Sequence, residues 1–279
     1  MAMNTTTLPD GTQLPLLGKG TYKLTGQEVQ DAVSLALETG YTHLDTAEGY
    51  MNEAAIGSAI ADHDRDDLVL TSKVLPKNLD YESVIRSCQA TLDKLGTDYL
   101  DLYLIHWPNP AISMRETFDA MAELHDRGMV QNVGVSNFSR YQLRTALHVS
   151  DVPIAVNQIE YHPWFQRPDL VEFCREHDVV VEAAAPLART DVLSDPIVQE
   201  LATEYDRTPA QIVLRWAIED DIAVIPRSRS REHIEENFDL FDFSLDEADH
   251  QRLTDCDRDE PVYDDRVPAW DDDVWGIAR

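Results

Sequence analysis

Lysine is the scarcest charged residue in this sequence: five in 279 positions, at Lys19, Lys23, Lys73, Lys77 and Lys94. Lysine and arginine together number 23 against 52 aspartates and glutamates, a formal charge of −29. A surface so poor in cations repels polyphosphate and anionic lipid, so neither nucleic acid nor a membrane is an expected partner. Cysteine is sparse as well. Cys88, Cys174 and Cys256 lie far apart with no C-x-x-C, which argues against a disulfide framework and for reduced thiols. No apolar run reaches the ~20 residues of a membrane span. The opening MAMNTTTLPDG lacks the basic and apolar regions of a secretory leader. The expectation is a soluble, cytoplasmic protein.

What is present is material for a core. The chain is 43% hydrophobic, and its acids are interleaved with patterned apolar residues rather than gathered into the blocks of a disordered chain. The acid excess therefore reads as a solvated shell of the halophilic kind, suited to high salt. No linker, repeat or low-complexity tract divides the sequence, and its length suits one domain over 1–279.

Asp10-Gly11 between two short alternating runs predicts a hairpin within residues 5–17. Thr25-Gly-Gln-Glu28 predicts a capping box. It opens a helix with Val29, Val33, Ala36 and Leu37 on one face, and Gly40 ends it. Strands and helices then alternate. Strands are predicted at 42–46, 68–72, 100–105, 130–135, 155–159, 179–184, 222–225 and 240–243. Helices are predicted at 83–95, 114–126, 141–148, 168–177, 209–219 and from Asp246 onward. Eight strands alternating with helices predict a closed parallel α/β barrel, (β/α)8. An open doubly wound sheet is the alternative, but no G-x-G-x-x-G follows any strand.

Asp45, Lys73 and His106 each close an apolar run, and Tyr50 follows Asp45 in the next loop. Barrel active sites lie at the C-terminal strand ends, so these four are expected to converge. Reducing a carbonyl takes a hydride on carbon and a proton on the developing alkoxide. A phenol with a pKa near ~10 is a poor acid at neutral pH. Lys73 is expected to lower that value, with Asp45 keeping the ammonium charged and oriented. A neutral His106 would hydrogen-bond the carbonyl oxygen. Taken singly, each residue also fits a duller role as cap, loop aromatic, solvated lysine or core histidine. His43-Leu-Asp45 looks like the H-x-D metal pair of a barrel hydrolase. Strands four to six, however, end in Ser136, Gln158 and Ala184, so His43 is expected to pack inside the barrel with no metal bound. His162, in EYHP, is expected to be a structural loop residue.

Found together and in order, LDTAEGYMNE, LTSK and LIHWP resemble the aldo-keto reductase superfamily. The likeness spans nearly the whole chain and is closest to the short bacterial type that includes the 2,5-diketo-gluconate reductases. It implies that the hairpin plugs the barrel bottom and that Asp45, Tyr50, Lys73 and His106 are catalytic. It also implies NADP(H) as cofactor. A neutral His233 in place of the family's arginine leaves tolerance for NAD(H), and an apolar-rimmed pocket suits aldehydes, ketoses or dicarbonyls as substrates. Ser136 and Asn137 of GVSNF, with Gln158 of NQIEYHP, would hold the nicotinamide carboxamide. Gly20, Thr21 and Asp45, then Ala184, Pro186 and Leu187 of EAAAPLA, would line the cofactor. Arg227, Ser228, Arg229, His233, Glu236 and Asn237 of PRSRSREHIEEN would hold the adenosine 2′-phosphate end. Tyr22, Tyr50, His106, Trp107 and Trp270 would form the substrate pocket, and the tail 257–279 would close it or pack on the barrel wall. Two departures stand out: Ala184 where the family stacks an aromatic on the nicotinamide, and His233 where it places an arginine. A monomer is expected. The other readings are a cofactor-binding sensor or interaction module without turnover, and a metal-dependent barrel hydrolase.

Overall fold

The computed structural model describes residues 4–263. A short antiparallel pair, β1 (Thr5–Thr7) and β2 (Gln13–Pro15), precedes eight parallel strands. These are β3 (Lys19–Gly20), β4 (His43–Asp45), β5 (Val69–Val74), β6 (Leu100–Ile105), β7 (Val130–Ser136), β8 (Ile154–Glu160), β9 (Val180–Ala184) and β10 (Ala223–Val224). Each hydrogen-bonds its neighbour in sequence order. The two ends then meet: Val224 N donates to Leu16 O at 2.8 Å, Gly18 N to Val224 O at 2.8 Å and Gly20 N to Pro226 O at 3.2 Å. Closure satisfies the edge ladders that an open sheet would expose. The (β/α)8 barrel therefore stands, and the doubly wound alternative falls.

One strand was misplaced by pattern. Residues 240–243 are bends and coil rather than the eighth strand, with Leu240 buried against the core. The missing strand is β3, two residues long, whose GKG sequence shows no alternation to betray it. Ring closure recruits it. Pattern also passed over two short helices, α2 (Glu53–Ile60) and α7 (Pro196–Glu204), while α9 (Arg231–Phe238) is the helix opened by the Ser-rich loop after the seventh predicted strand.

The other helices follow their expected ranges closely: α1 (Gly26–Thr39), α3 (Tyr81–Leu95), α4 (Met114–Asp126), α5 (Arg140–Val149), α6 (Pro168–Glu176), α8 (Pro209–Glu219) and α10 (Glu247–Thr254). Thr25 precedes α1 in extended conformation, but its side chain makes no capping bond, so the predicted box does not form. The end of α1 is as expected. Gly40 sits at φ +118°, a left-handed conformation that strains other residues. A Cβ there would also meet the Phe238 ring at 2.8 Å. In α8 the box is real: Gln211 Oε1 accepts from Thr208 N at 2.9 Å, and Thr208 Oγ1 accepts from Gln211 N at 3.3 Å. That helix buries Ile212, Leu214, Trp216 and Ile218, each large side chain contributing roughly 1.5–3 kcal/mol. At the barrel bottom, Asp10 N donates to Asn132 Oδ1 at 3.4 Å, and Leu8 and Leu14 are buried. The hairpin thus covers the N-terminal strand ends.

Candidate active site

Period-two alternation turns His43 and Asp45 of β4 to one side and Leu44 to the other. Their bonds to β5, β8 and β9 identify that side as the barrel interior. Lys73 Nζ donates to Asp45 Oδ2 at 2.6 Å and to Thr46 O at 2.8 Å, with both side chains almost wholly buried. Gln158 Nε2 donates to the same Asp45 oxygen at 2.8 Å and also to Glu182 Oε2. Below them His43 Nε2 lies 3.1 Å from Thr71 Oγ1 and 3.7 Å from Glu182 Oε1. A Cβ on Gly18 would come within 2.4 Å of the His43 ring, so that position has no room for a side chain.

Two carboxyls and one ammonium in a closed barrel cannot all ionise cheaply. Burial, and then the Asp45 charge, push the Glu182 carboxyl up to about 8. Burial, and then the Lys73 charge, pull His43 down to about 3. At neutral pH the cluster thus resolves into one ion pair, Lys73 with Asp45, flanked by a protonated Glu182 and a neutral His43. His43 packs as expected. Glu182 went unnoticed in the sequence, where its only signal is a lone carboxylate inside VVVEAAA.

Above the pair stands Tyr50, presented by a 3-10 turn, Glu48–Tyr50. The turn is fixed by Glu48, whose carboxylate accepts from Leu75 N at 3.0 Å and Asn78 Nδ2 at 2.7 Å. Lys73 Nζ lies 5.1 Å from the Tyr50 ring centre. The His106 ring meets the phenol edge-on at 5.6 Å, and Tyr22 packs on it at 5.1 Å. Burial, and then Asp45, hold the Tyr50 phenol well above its ordinary pKa. The expected lowering by Lys73 is therefore not found: burial dominates, and the Asp45 charge adds to it. Burial and Lys73 pull His106 down to about 3, so it is neutral as expected. Its Nδ1 is buried without a partner among the described residues.

A cleft of about 480 Å³ opens over this network. Asp45, Tyr50, His106 and Trp107 line it, with Gly20 and Tyr22 from the first loop. So do Ser136, Asn137 and Gln158, then Ala184, Pro186 and Leu187. Lys73 and Thr21 lie beneath the lining, Thr21 donating to Asp45 O at 2.8 Å. The three polar residues at the ends of β7 and β8 are arranged by their own bonds. Asn137 Nδ2 donates to His106 O and to Ser136 Oγ, both at 3.0 Å, while Gln158 gives its amide hydrogens to Asp45 and Glu182. Two amide oxygens and one hydroxyl proton are thus left for a ligand, the complement of a carboxamide with its NH2 and C=O. The residues fit a nicotinamide.

The aromatic missing at Ala184 is not replaced within its strand. The following loop is unusual: Ala185, Ala188, Arg189 and Thr190 all take positive φ, at 49°, 46°, 53° and 88°. Such conformations cluster at ligand sites, and Ala185, Arg189 and Thr190 line the cleft. Tyr263 lines it as well, its ring 6.1 Å from Trp107 and 5.8 Å from the Arg189 guanidinium. The buried carboxylate of Glu160 holds that stretch of tail, accepting from Val262 N at 2.5 Å and Tyr263 N at 3.1 Å. His162 Nε2 joins the same carboxylate at 2.9 Å, a structural role as expected. Trp270 lies outside the described residues.

The far end of the cleft is less well gathered than the sequence suggests. Arg227 lines it, while Ser228 is buried behind. Ser230 caps α9 by accepting from His233 N at 3.3 Å, giving a loop and helix start suited to an anion. Arg229 is held by Glu28 at 3.2 Å, and Arg231 by Glu235 at 2.9 Å and Glu38 at 3.6 Å. His233, Glu236 and Asn237 lie on α9 outside the cleft lining. Nearby acids of α1 and α9 claim the cations that sequence proximity seemed to pool.

The sequence pattern of the Aldo/keto reductase family matches residues 16–258. An aldo-keto reductase of Mycobacterium avium is 42% identical over 248 residues, covering 88% of this chain and 87% of that one. An NADP-dependent D-sorbitol-6-phosphate dehydrogenase of Malus domestica is 33% identical and covers 99% of each chain. A crystal structure of an aldo/keto reductase from Brucella melitensis superposes with a TM-score of 0.87 at 42% identity. It covers 92% of this chain and 100% of its own.

Proposed function

The chain belongs to the aldo/keto reductase family, and from that premise we propose that it reduces aldehydes or ketones to alcohols with NADPH, with Tyr50 as proton donor. One observation carries this reading. The buried Lys73–Asp45 pair, at 2.6 Å, sits under a phenol and a neutral histidine at the mouth of a cleft whose far wall complements a carboxamide. Bound there, a reduced nicotinamide supplies the hydride.

The chain's own residues do the rest. His106, neutral, offers a ring N–H to the carbonyl oxygen and places it beside Tyr50. Tyr50 keeps its proton throughout the neutral range and yields it as alkoxide character develops, since an alkoxide is the stronger base. The adjacent ammonium then stabilises the phenolate, and Asp45 holds that ammonium in place. Ser136, Asn137 and Gln158 fix the ring that faces the carbonyl. Tyr22, Trp107 and Tyr263 give the cleft an apolar rim for the substrate's side group. NADP(H) is preferred because Arg227 lines the far end of the cleft, and the acid-rich surface suits a cytoplasm of high salt.

The test is a panel of aldehydes, ketoses and dicarbonyls, followed by loss of reduced-nicotinamide absorbance in dilute buffer and in molar KCl. Turnover of at least one carbonyl class is expected, faster with NADPH than with NADH. Cofactor binding with no turnover of any carbonyl would instead make the protein a binding module.

A further inference from the structure

Two of the five lysines are buried, and they are not alike. Lys73 has Asp45 as counter-charge. Lys19, 1% exposed, bonds to no carboxylate among the described residues: its Nζ donates to Gly20 O at 3.2 Å and to Ser228 O at 2.5 Å. The residue opposite it on β4 is Leu44, while Asp45 stands opposite Gly20 and is engaged with Lys73 and Gln158. On the other side the charge facing it is a second cation, Arg227. Beyond that, Arg229 and Glu28 neutralise each other at the surface. Burial, and then Arg227, pull the Lys19 ammonium down to about 7.

A buried ammonium next to a guanidinium, with neutral carbonyls for company, is an arrangement that an incoming anion relieves. An apolar side chain at this strand position would have avoided the cost. Building on the cofactor reading above, we propose that Lys19 is a positioning and selectivity residue for the 2′-phosphate of NADPH. Through the Ser228 carbonyl it fixes the loop from Arg227 to Ser230, and with Arg227 it supplies a field that a dianionic phosphate satisfies. The dianion in turn stabilises the charged lysine, so Lys19 takes a proton from the buffer when NADPH binds at pH 8, where a phosphate monoester is already doubly ionised. NADH has no such group and leaves Lys19 as it was.

Calorimetric titration at pH 8, in two buffers of different ionisation enthalpy, reads this directly. The wild type is expected to take up as much as about one proton per site with NADPH and close to none with NADH. Lys19→Met abolishes the uptake and weakens NADPH about tenfold, with NADH affinity held within about twofold. Lys19→Arg keeps the charge and the NADPH preference but takes up no proton, since a guanidinium is always protonated. NADPH binding to the wild type without uptake overturns the proposal even if no variant folds. So does an equal loss of both nucleotides in Lys19→Met, which is what a purely structural lysine would give. A wild type that binds neither nucleotide defeats the cofactor reading itself.

Discussion

Charge is used in two ways in this protein, inside the barrel and outside it. Inside, Asp45, Lys73, Gln158, Glu182 and His43 form one connected network, each 2% exposed or less. There burial and then a neighbouring charge move the protons: burial and Asp45 push Glu182 up to about 8, and burial and Lys73 pull His43 down to about 3. Outside, pairs such as Arg127 with Glu123 at 2.7 Å and Arg231 with Glu235 at 2.9 Å are half-exposed helix neighbours. Exposed pairs of that sort contribute about 0–1 kcal/mol and fade with salt. The same ions in a poorly solvated interior govern reactivity and cannot be removed singly. The barrel interior is therefore the chemical part of the charge distribution, while exposed surface pairs contribute little.

The sharpest break in that comparison is Tyr50→Phe. Removing one interior hydroxyl should lower kcat by roughly 10²–10⁴-fold while NADPH affinity stays within about twofold. Steady-state kinetics beside fluorescence titration decide it, and a variant keeping most of its kcat removes Tyr50 as the donor. Next is Lys73→Met, which strands Asp45 as a buried charge. Chemical denaturation should record a loss of about 3–5 kcal/mol, and a loss under 1 would place the pair on a level with the surface ones.

Third comes Glu182→Gln. A carboxyl raised from 4.5 to about 8 on folding gives stability that is complete below the lower value and lost as pH rises through the upper one. Across that window the wild type should therefore lose stability relative to the variant, on the order of a few kcal/mol. Parallel stability curves would mean that Glu182 is already ionised in the folded state. Fourth is the shell as a whole: with −29 charges, molar KCl should raise the melting temperature by several degrees, at about 2–4 °C per kcal/mol. A salt-independent melt would end the halophilic reading. The smallest effect is expected for Arg127→Ala, no more than about 0.5 kcal/mol and vanishing at high salt. A loss above 1 kcal/mol there would erase the contrast between shell and interior.

Much of the site was legible because strand ends are local. LDTAEGY, LTSK and LIHWP each carry their polar residue at the close of an apolar run, and the barrel brings such closes together. Glu182 was not legible, since one acid in an apolar strand does not say which neighbour it will meet across the ring. The Tyr50 acidity was misjudged for a related reason. Sequence places Lys73 near Tyr50 but cannot tell how deeply the phenol is buried, or that the Asp45 charge also bears on it. The phosphate end failed the other way: Arg227, Arg229 and Arg231 look pooled in PRSRSR, yet Glu28 and Glu38 of α1 draw two of them off.

By itself the sequence determined the alternation of strands and helices, the acidic shell and the four residues at the strand ends. Periodicity, composition and adjacency are properties of a chain before it folds. Tertiary structure alone decided that two residues of GKG would close the ring in place of 240–243, because a barrel needs a partner for both edges of its sheet. It also decided which carboxyl keeps its proton, and that Lys19 faces a cation rather than an acid. Those outcomes depend on distances between segments far apart in sequence, and on burial, which exists only once the barrel has closed.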